Sequence, residues 1–400
     1  MLRDPWSAYA GPGEFPPSSC RGAIRDRSLP AEDLGHRRTR GAVGVPRDQR
    51  PGVGTGETRR LRAVIRVALL GYGFIGRVHL AHLRRLRGVQ VVAVVESDPE
   101  KLRTLVRGNI PAGEEEASVE GLSCLADVAD VLGRPDVDVV DICLPTHLHK
   151  DVALRALEAG HHVICEKPLA LSLADVDEIL ARAERSGRRL LVAHCIRFWP
   201  EYEFLQSLVQ SGQFGRPRSA IFRRVSPFPT WGGSDGWFSD PQKSGGALLD
   251  LHIHDVDIAQ LLFGRPRAVF ARASWNSKGA STCVFAQHIH EGGPLVFLEG
   301  SWEHAAFEMS FHVAFEEAEV RYNSQARPAL RVIRRGRVEP EFPEIPGEDG
   351  YARELRYFVE CLESGREPSR VSLPSIRSAM EIAFAELESA RTGNVVFLAE

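Results

Sequence analysis

From Val64 onward, short apolar runs take turns with stretches in which apolar residues return every third or fourth position. Val64-Ile65-Arg66-Val67-Ala68-Leu69-Leu70 reads as a buried strand, and glycines follow it directly. Leu80, Leu83 and Leu86 then recur at helical spacing. Val91–Val95 is a second strand, and Val137–Leu144 a later one ended by Pro145. Val152, Ala153, Ala156 and Leu157 line one face of a helix that Gly160 stops. His162–Cys165 is the next strand, followed by the turn Glu166-Lys167-Pro168. Ser172 with Asp175 forms a capping pair that opens a helix carrying Leu173, Val176, Leu180 and Ala183 inward. Arg189–His194 is one more strand. Strands that alternate with single helices predict an α/β Rossmann domain, a doubly wound parallel sheet.

After about Ile196 the rhythm changes. Strand-like runs at 218–225, 267–275, 282–289 and 295–302 are joined by Gly/Pro/Asn turns and interrupted by one clear helix near 246–262. Two helices close the chain, around 351–364 and 374–391. This predicts an α+β domain with a large, mostly antiparallel open sheet. The segment before Val64 carries neither period and is rich in Arg, Pro and Gly. It reads as a disordered extension, or as sequence upstream of the true start. The expected organisation is therefore 1–62 extension, 63–196 dinucleotide-binding domain and 197–400 substrate-binding and oligomerisation domain.

Composition adds exclusions. A net charge of −3 gives no reason to expect nucleic acid or an anionic membrane as partner. No apolar run reaches the length of a membrane span. Seven cysteines, scattered and never in a C-x-x-C pair, argue against disulfides and a zinc site and suit a cytoplasmic protein. A long, open second sheet with few helices to cover it predicts a homodimer or homotetramer.

Gly71-Tyr72-Gly73-Phe74-Ile75-Gly76 is a G-x-G-x-x-G placed between a strand and a helix, the context in which it cradles a dinucleotide pyrophosphate. Glu96 lies twenty residues past Gly76, at the end of the second strand. A carboxylate there accepts hydrogen bonds from the adenine-ribose diol and repels a 2′-phosphate, which favours NAD over NADP. Lys167 sits at the C-terminal end of a parallel strand, where it would place a fixed positive charge beside the nicotinamide. Asp250 and His254, four residues apart on a predicted helix, would share a face. The carboxylate would then orient the imidazole and raise its proton affinity, as a general base requires. His252, His254, Asp255 and Asp257 crowd together, but His252 and His254 point to different helix faces, so no metal is expected. Trp231, Trp237 and Phe238 either stack on a ligand or fill the domain core.

These features resemble the Gfo/Idh/MocA family, which includes glucose–fructose oxidoreductase and inositol dehydrogenases. The resemblance rests on Gly71–Gly76, on 141–149 (Asp-Ile-Cys-Leu-Pro-Thr-His-Leu-His), on 159–170 around Glu166-Lys167-Pro168, and on 244–257 around Asp250 and His254. It implies that Lys167, Asp250 and His254 are catalytic. It also implies that Pro145, Thr146, His149 and Glu166 border the cofactor together with Phe74 and Ile75, and that Arg197 and Trp237 lie near the substrate. Ser97, where many relatives carry a larger or basic residue, leaves NADP open. The implied reaction is hydride transfer between NAD(P) and a sugar, inositol or related polyol. A glycoside hydrolase working by transient oxidation with retained NAD, and a non-catalytic dinucleotide-binding protein, remain as alternatives.

Overall fold

The computed structural model describes residues 64–103, 108, 118–231 and 236–399, so the expectation for 1–62 lies outside the described residues. The first sheet is parallel and contains β1 (Ile65–Leu70), β2 (Val89–Val95), β3 (Ser123–Leu125), β4 (Val139–Ile142), β5 (His162–Glu166) and β6 (Leu190–Ala193). Their spatial order, β3-β2-β1-β4-β5-β6, reverses direction between β1 and β4, which leaves a crevice at the carboxyl ends of the strands. β1, β4, β5 and β6 are almost wholly buried, as strands covered on both faces must be. The helices Phe74–Arg85, His149–Glu158 and Leu173–Ser186 make the crossovers. Ser172 caps the last of these by accepting the Asp175 amide at 3.1 Å, as the capping pair predicted.

A helix at Pro200–Ser211, which the apolar spacing had not revealed, leads into the second domain; its signal was Pro200 at the first helical position. The second sheet contains β7 (Pro217–Val225), β8 (Ala268–Trp275), β9 (Ser281–Ile289), β10 (Leu295–Ser301), β11 (Glu308–Phe315), β12 (Ala318–Asn323), β13 (Leu330–Arg334) and β14 (Val396–Phe397). Their order is β13-β12-β11-β7-β10-β9-β8-β14, and every pair is antiparallel except β7 with β10. The helices Ile253–Phe263 and Leu373–Thr392 pack on one face. On the other face Ile221, Phe285 and Phe297 remain exposed.

The closing helices bind the two halves together. Gly350–Ser364 lies against Phe74–Arg85 of the first domain, and Leu373–Thr392 touches both Leu173–Ser186 and Ile253–Phe263. Among the described residues no helix is long and apolar enough to cross a membrane.

Candidate active site

A cleft of about 500 Å³ runs from the glycine loop, past the ends of β4 and β5, to the aromatic residues of the second domain. Gly71 has a φ of +92°, and a Cβ there would sit 2.5 Å from the Cys143 carbonyl oxygen. A Cβ on Gly76 would come within 2.0 Å of the Gly71 carbonyl oxygen. At Gly73 a Cβ would meet nothing within 4 Å. Gly73 is also the N-cap of Phe74–Arg85 and offers no side chain to the first amides of the helix. Two glycines thus close the turn while the third leaves room at an uncapped helix N-terminus, which suits a pyrophosphate. Phe74 and Ile75 line the same wall.

Glu96 borders the far end. Its Oε2 accepts the Tyr72 amide and its Oε1 the Asp98 amide, each at 3.0 Å, so the carboxylate is held rigidly with lone pairs left for a ribose diol. Ser97 lies beside it, and so does Lys101, whose Nζ is 3.7 Å from Glu96. Lys101 escaped the sequence reading, because nothing in the spacing distinguishes it from a surface lysine.

The turn after β4 brings Leu144, Pro145 and Thr146 to the cleft. His149 does not join them. It begins a helix and is buried, with Nδ1 2.9 Å from the Pro168 carbonyl oxygen and Nε2 2.8 Å from that of Leu144. Its ring ties the two cofactor-side loops together, and burial pushes its proton affinity down.

Glu166 lines the cleft at the end of β5, where Oε2 accepts the Lys167 amide at 3.1 Å. Behind it, His79 has Nδ1 2.9 Å from Asp141 and Nε2 3.2 Å from Glu166. Burial opposes a charge on His79, but Cys143 and the Asp141 carboxylate hold its proton affinity well above the ordinary imidazole range. Burial would in turn raise the Glu166 carboxyl, but His79 and Lys167 keep it below the usual value. Among the described residues His79, Asp141 and Cys143 also form one group with metal-ligand spacing. Within that group His79 and Asp141 are already hydrogen-bonded to each other. His79 was legible only as a helix position, since its partners come from β4 and β5.

Lys167 is joined to Pro168 by a cis bond, and its side chain crosses to the second domain. Its Nζ donates to the Asp250 carbonyl oxygen at 2.8 Å and lies 3.5 Å from Asp250 Oδ1. The expected Asp250–His254 pair is absent. Leu248–His252 forms a π-helical turn, and regular helix resumes only at Ile253. Asp250 and His254 both line the cleft, but the Asp250 carboxylate lies toward Lys167.

His254 lines the cleft, and its Nδ1 is sealed without a partner. Burial first, then the charges of Lys167 and Arg224, hold its proton affinity well below the ordinary value, the reverse of what an aspartate partner would do. The ring is therefore neutral at neutral pH.

Arg197 is likewise not a pocket residue. It is buried, with Nε donating to Asp257 at 2.7 Å, Nη2 to the other Asp257 oxygen, and Nη1 to the Arg370 carbonyl and Ser375 hydroxyl. A guanidinium with four of its five N–H donors engaged inside the protein joins elements, and Arg197 does not line the cleft. The arginine at the cleft is Arg224 on β7, paired with Asp255 at 3.0 and 3.2 Å, with Nη1 3.4 Å from the Met309 sulfur. Its signal was present, since Ala220, Phe222 and Arg224 alternate inward on β7 and put a charge among apolar neighbours. Trp237 reaches the cleft and stacks on Phe238 with centroids 3.8 Å apart. With Trp231 and Trp302 these rings both fill a small core and form the wall. Trp302 and Phe307 of the loop after β10, Met309 of β11 and Tyr351 of the helix Gly350–Ser364 also line the cleft, and none carried a local signal.

A Rossmann cleft closed by an open-sheet domain that supplies a histidine and a carboxylate to a first-domain lysine is the layout of a two-domain dinucleotide-binding oxidoreductase. Residues 65–194 match an oxidoreductase family model with an NAD-binding Rossmann fold, and residues 202–321 match the GFO/IDH/MocA C-terminal domain. The chain belongs to the Gfo/Idh/MocA family of oxidoreductases, and its first domain is that family's NAD-binding domain.

Among curated proteins it is 31% identical over 212 residues to the uncharacterized oxidoreductase ORF334 of Rhizobium meliloti, 51% of this chain and 59% of that protein. The chain thus spans little more than half the length of that relative. It is 26% identical to the myo-inositol 2-dehydrogenase of Thermotoga maritima, over 84% of this chain and 99% of that protein. A solved levoglucosan dehydrogenase, in complex with NADH and levoglucosan, superposes with a TM-score of 0.70 at 22% identity, covering 84% of this chain and all 100% of that one.

Proposed function

We propose that this protein is a dehydrogenase or reductase that interconverts a CH–OH group and a carbonyl on a sugar, inositol or related polyol, with NAD as the preferred cofactor. The observation that carries this reading is the meeting of Lys167 and Asp250 across the domain junction, with neutral His254 in the same cleft. NAD supplies the hydride acceptor. The glycine loop holds its pyrophosphate and Glu96 its ribose diol. Lys167 steadies the substrate oxygen, and His254 takes the hydroxyl proton. The aromatic wall of Trp231, Trp237 and Trp302 excludes water and offers flat surfaces to the C–H faces of a sugar.

The preference for NAD rests on the Glu96 carboxylate, which meets a 2′-phosphate with like charge. Lys101 beside it softens that repulsion. We also infer that the outer face of the second sheet pairs with a second copy, and that the enzyme works in a reducing compartment, which the seven scattered cysteines suit.

A panel of sugars and polyols, read at the nicotinamide absorbance with NAD and with NADP, tests the reading. Turnover of at least one neutral polyol is expected, and tighter binding of NAD. Release of p-nitrophenol from an aryl glycoside without net NADH would replace a dehydrogenase by a hydrolase. Glu96→Ala is expected to narrow the gap between the two cofactors.

A further inference from the structure

The π-turn that brings Asp250 and His254 to the cleft is held from behind by side chains that take no part in lining it. His252 lies between the two and is fully buried. Its Nε2 is 3.0 Å from Oε2 of Glu386, a residue of the helix Leu373–Thr392. The other Glu386 oxygen meets Nε2 of His288, on β9, at 2.6 Å. All three side chains have zero exposure. A fourth element clamps the ring: a Cβ on Gly300 of β10 would fall 2.6 Å from His252 Cβ and 2.7 Å from its Nδ1. Only a glycine lets the strand come that close.

This arrangement is costly by itself. Burial would raise the Glu386 carboxyl, yet His252 and His288 hold it down to about 2, so it is ionised at neutral pH in the interior of the domain. Three apolar side chains of similar volume would pack there without that desolvation. What the polar set provides is direction. Glu386 is hydrogen-bonded to His288 and stands 3.0 Å from His252, and the pull of one carboxylate on both rings restricts their orientation more than an apolar cluster would. The element so oriented is the one stretch of this helix whose geometry departs from α, where a fixed side chain is needed to hold its neighbours in place.

We propose that Glu386 is a positioning residue for the reaction, which acts through His252 and His288 to fix the π-turn and so the placing of Asp250 and His254 opposite Lys167. The proposal rests on the reading of those three residues as the reacting end of the cleft. Neither Glu386 nor His288 lines the cleft, so any effect of replacing them on the reaction is transmitted through the turn.

Hydrogen exchange on the full chain measures the turn directly, whatever the substrate. In Glu386→Ala the amides of 248–254 should exchange faster, while those of β1, β4 and β5 keep wild-type protection. In Glu386→Gln, which keeps a bridging side chain of the same shape without the charge, the change should be smaller. NADH affinity should stay at the wild-type value, and kcat per NADH-binding site should fall by roughly 10- to 100-fold in the alanine variant, the scale expected of a small misplacement of reacting groups. Should Glu386→Ala not fold, Glu386→Gln and His288→Gln carry the same test. Unchanged exchange over 248–254 in a folded variant overturns the proposal, and so does an equal acceleration of all amides, which would make the triad a stabilising element only. A wild-type enzyme that turns over no polyol would remove the proposed function, while the exchange pattern would still decide whether Glu386 holds the turn.

Discussion

A methyl group added at Gly73 meets nothing within 4 Å, whereas one at Gly76 lands 2.0 Å from the Gly71 carbonyl oxygen. The two substitutions should therefore fail differently. Gly73→Ala is expected to melt at the wild-type temperature and to bind NADH more weakly in a fluorescence titration, because the methyl occupies space meant for phosphate. Gly76→Ala should lower Tm sharply, since strand and helix must part to admit it. His254 gives a second test. Its folded proton affinity lies well below the ordinary value of 6.5, held there by burial first and then by Lys167, the largest of the charges depressing it. As pH falls through 6.5, the unfolded chain binds a proton that the folded ring refuses, so His254 contributes a loss of stability on the acid side. His254→Gln should flatten that loss in urea titrations, and Lys167→Met should move the imidazole titration upward by NMR. Removing the ring by His254→Ala should cut turnover by roughly 10²–10⁴, the usual worth of a positioned acid–base group. Full turnover in that variant would move the proton-transfer role to another group.

Elements in this chain are joined by buried ion pairs rather than by packing alone. Arg197 follows β6, and its guanidinium holds Asp257 of the helix Ile253–Phe263 together with the Arg370 carbonyl before the last helix. Replacing it by alanine leaves a buried carboxylate with its guanidinium partner gone, which should cost about 3–5 kcal/mol. Urea unfolding of Arg197→Ala should show this as a lower midpoint, with KM for substrate little changed in the folded fraction; a rise in KM alone would return Arg197 to the pocket. The capped helix, the glycine loop and most strand limits were legible, because each is set by residues within a turn or two. The π-turn was not, since a helical period counted along the chain cannot show where one extra residue is inserted.

For the molecule as a whole, the outer face of the second sheet is the feature that asks for a partner. Ile221 is 50% exposed, Phe285 57% and Phe297 43%, and Phe297 pairs in register with Ile221. An apolar stripe across three adjacent strands is a surface that water disfavours and that a second copy of the same face would cover. Light scattering should report a dimer or larger assembly at micromolar concentration, and Phe285→Glu with Ile221→Lys should shift it toward monomer. A monomeric wild type would leave the stripe unexplained.

The sequence by itself determined the order of most elements, the dinucleotide loop, the position of Glu96 and the choice of Lys167, Asp250 and His254 as candidates for one site. These follow from short-range rules: strand and helix periods, the space a glycine frees, and the edge of a parallel sheet where loops gather. Tertiary structure alone decided which charges meet. Asp250 was expected to hold His254 and instead meets Lys167, 83 residues away in the chain. Arg197, expected at the substrate, is consumed by Asp257, and Arg224 stands at the cleft in its place. A buried charge must find a partner, but its partner is chosen by the fold, because desolvation makes pairing obligatory without specifying the distance along the chain at which it occurs.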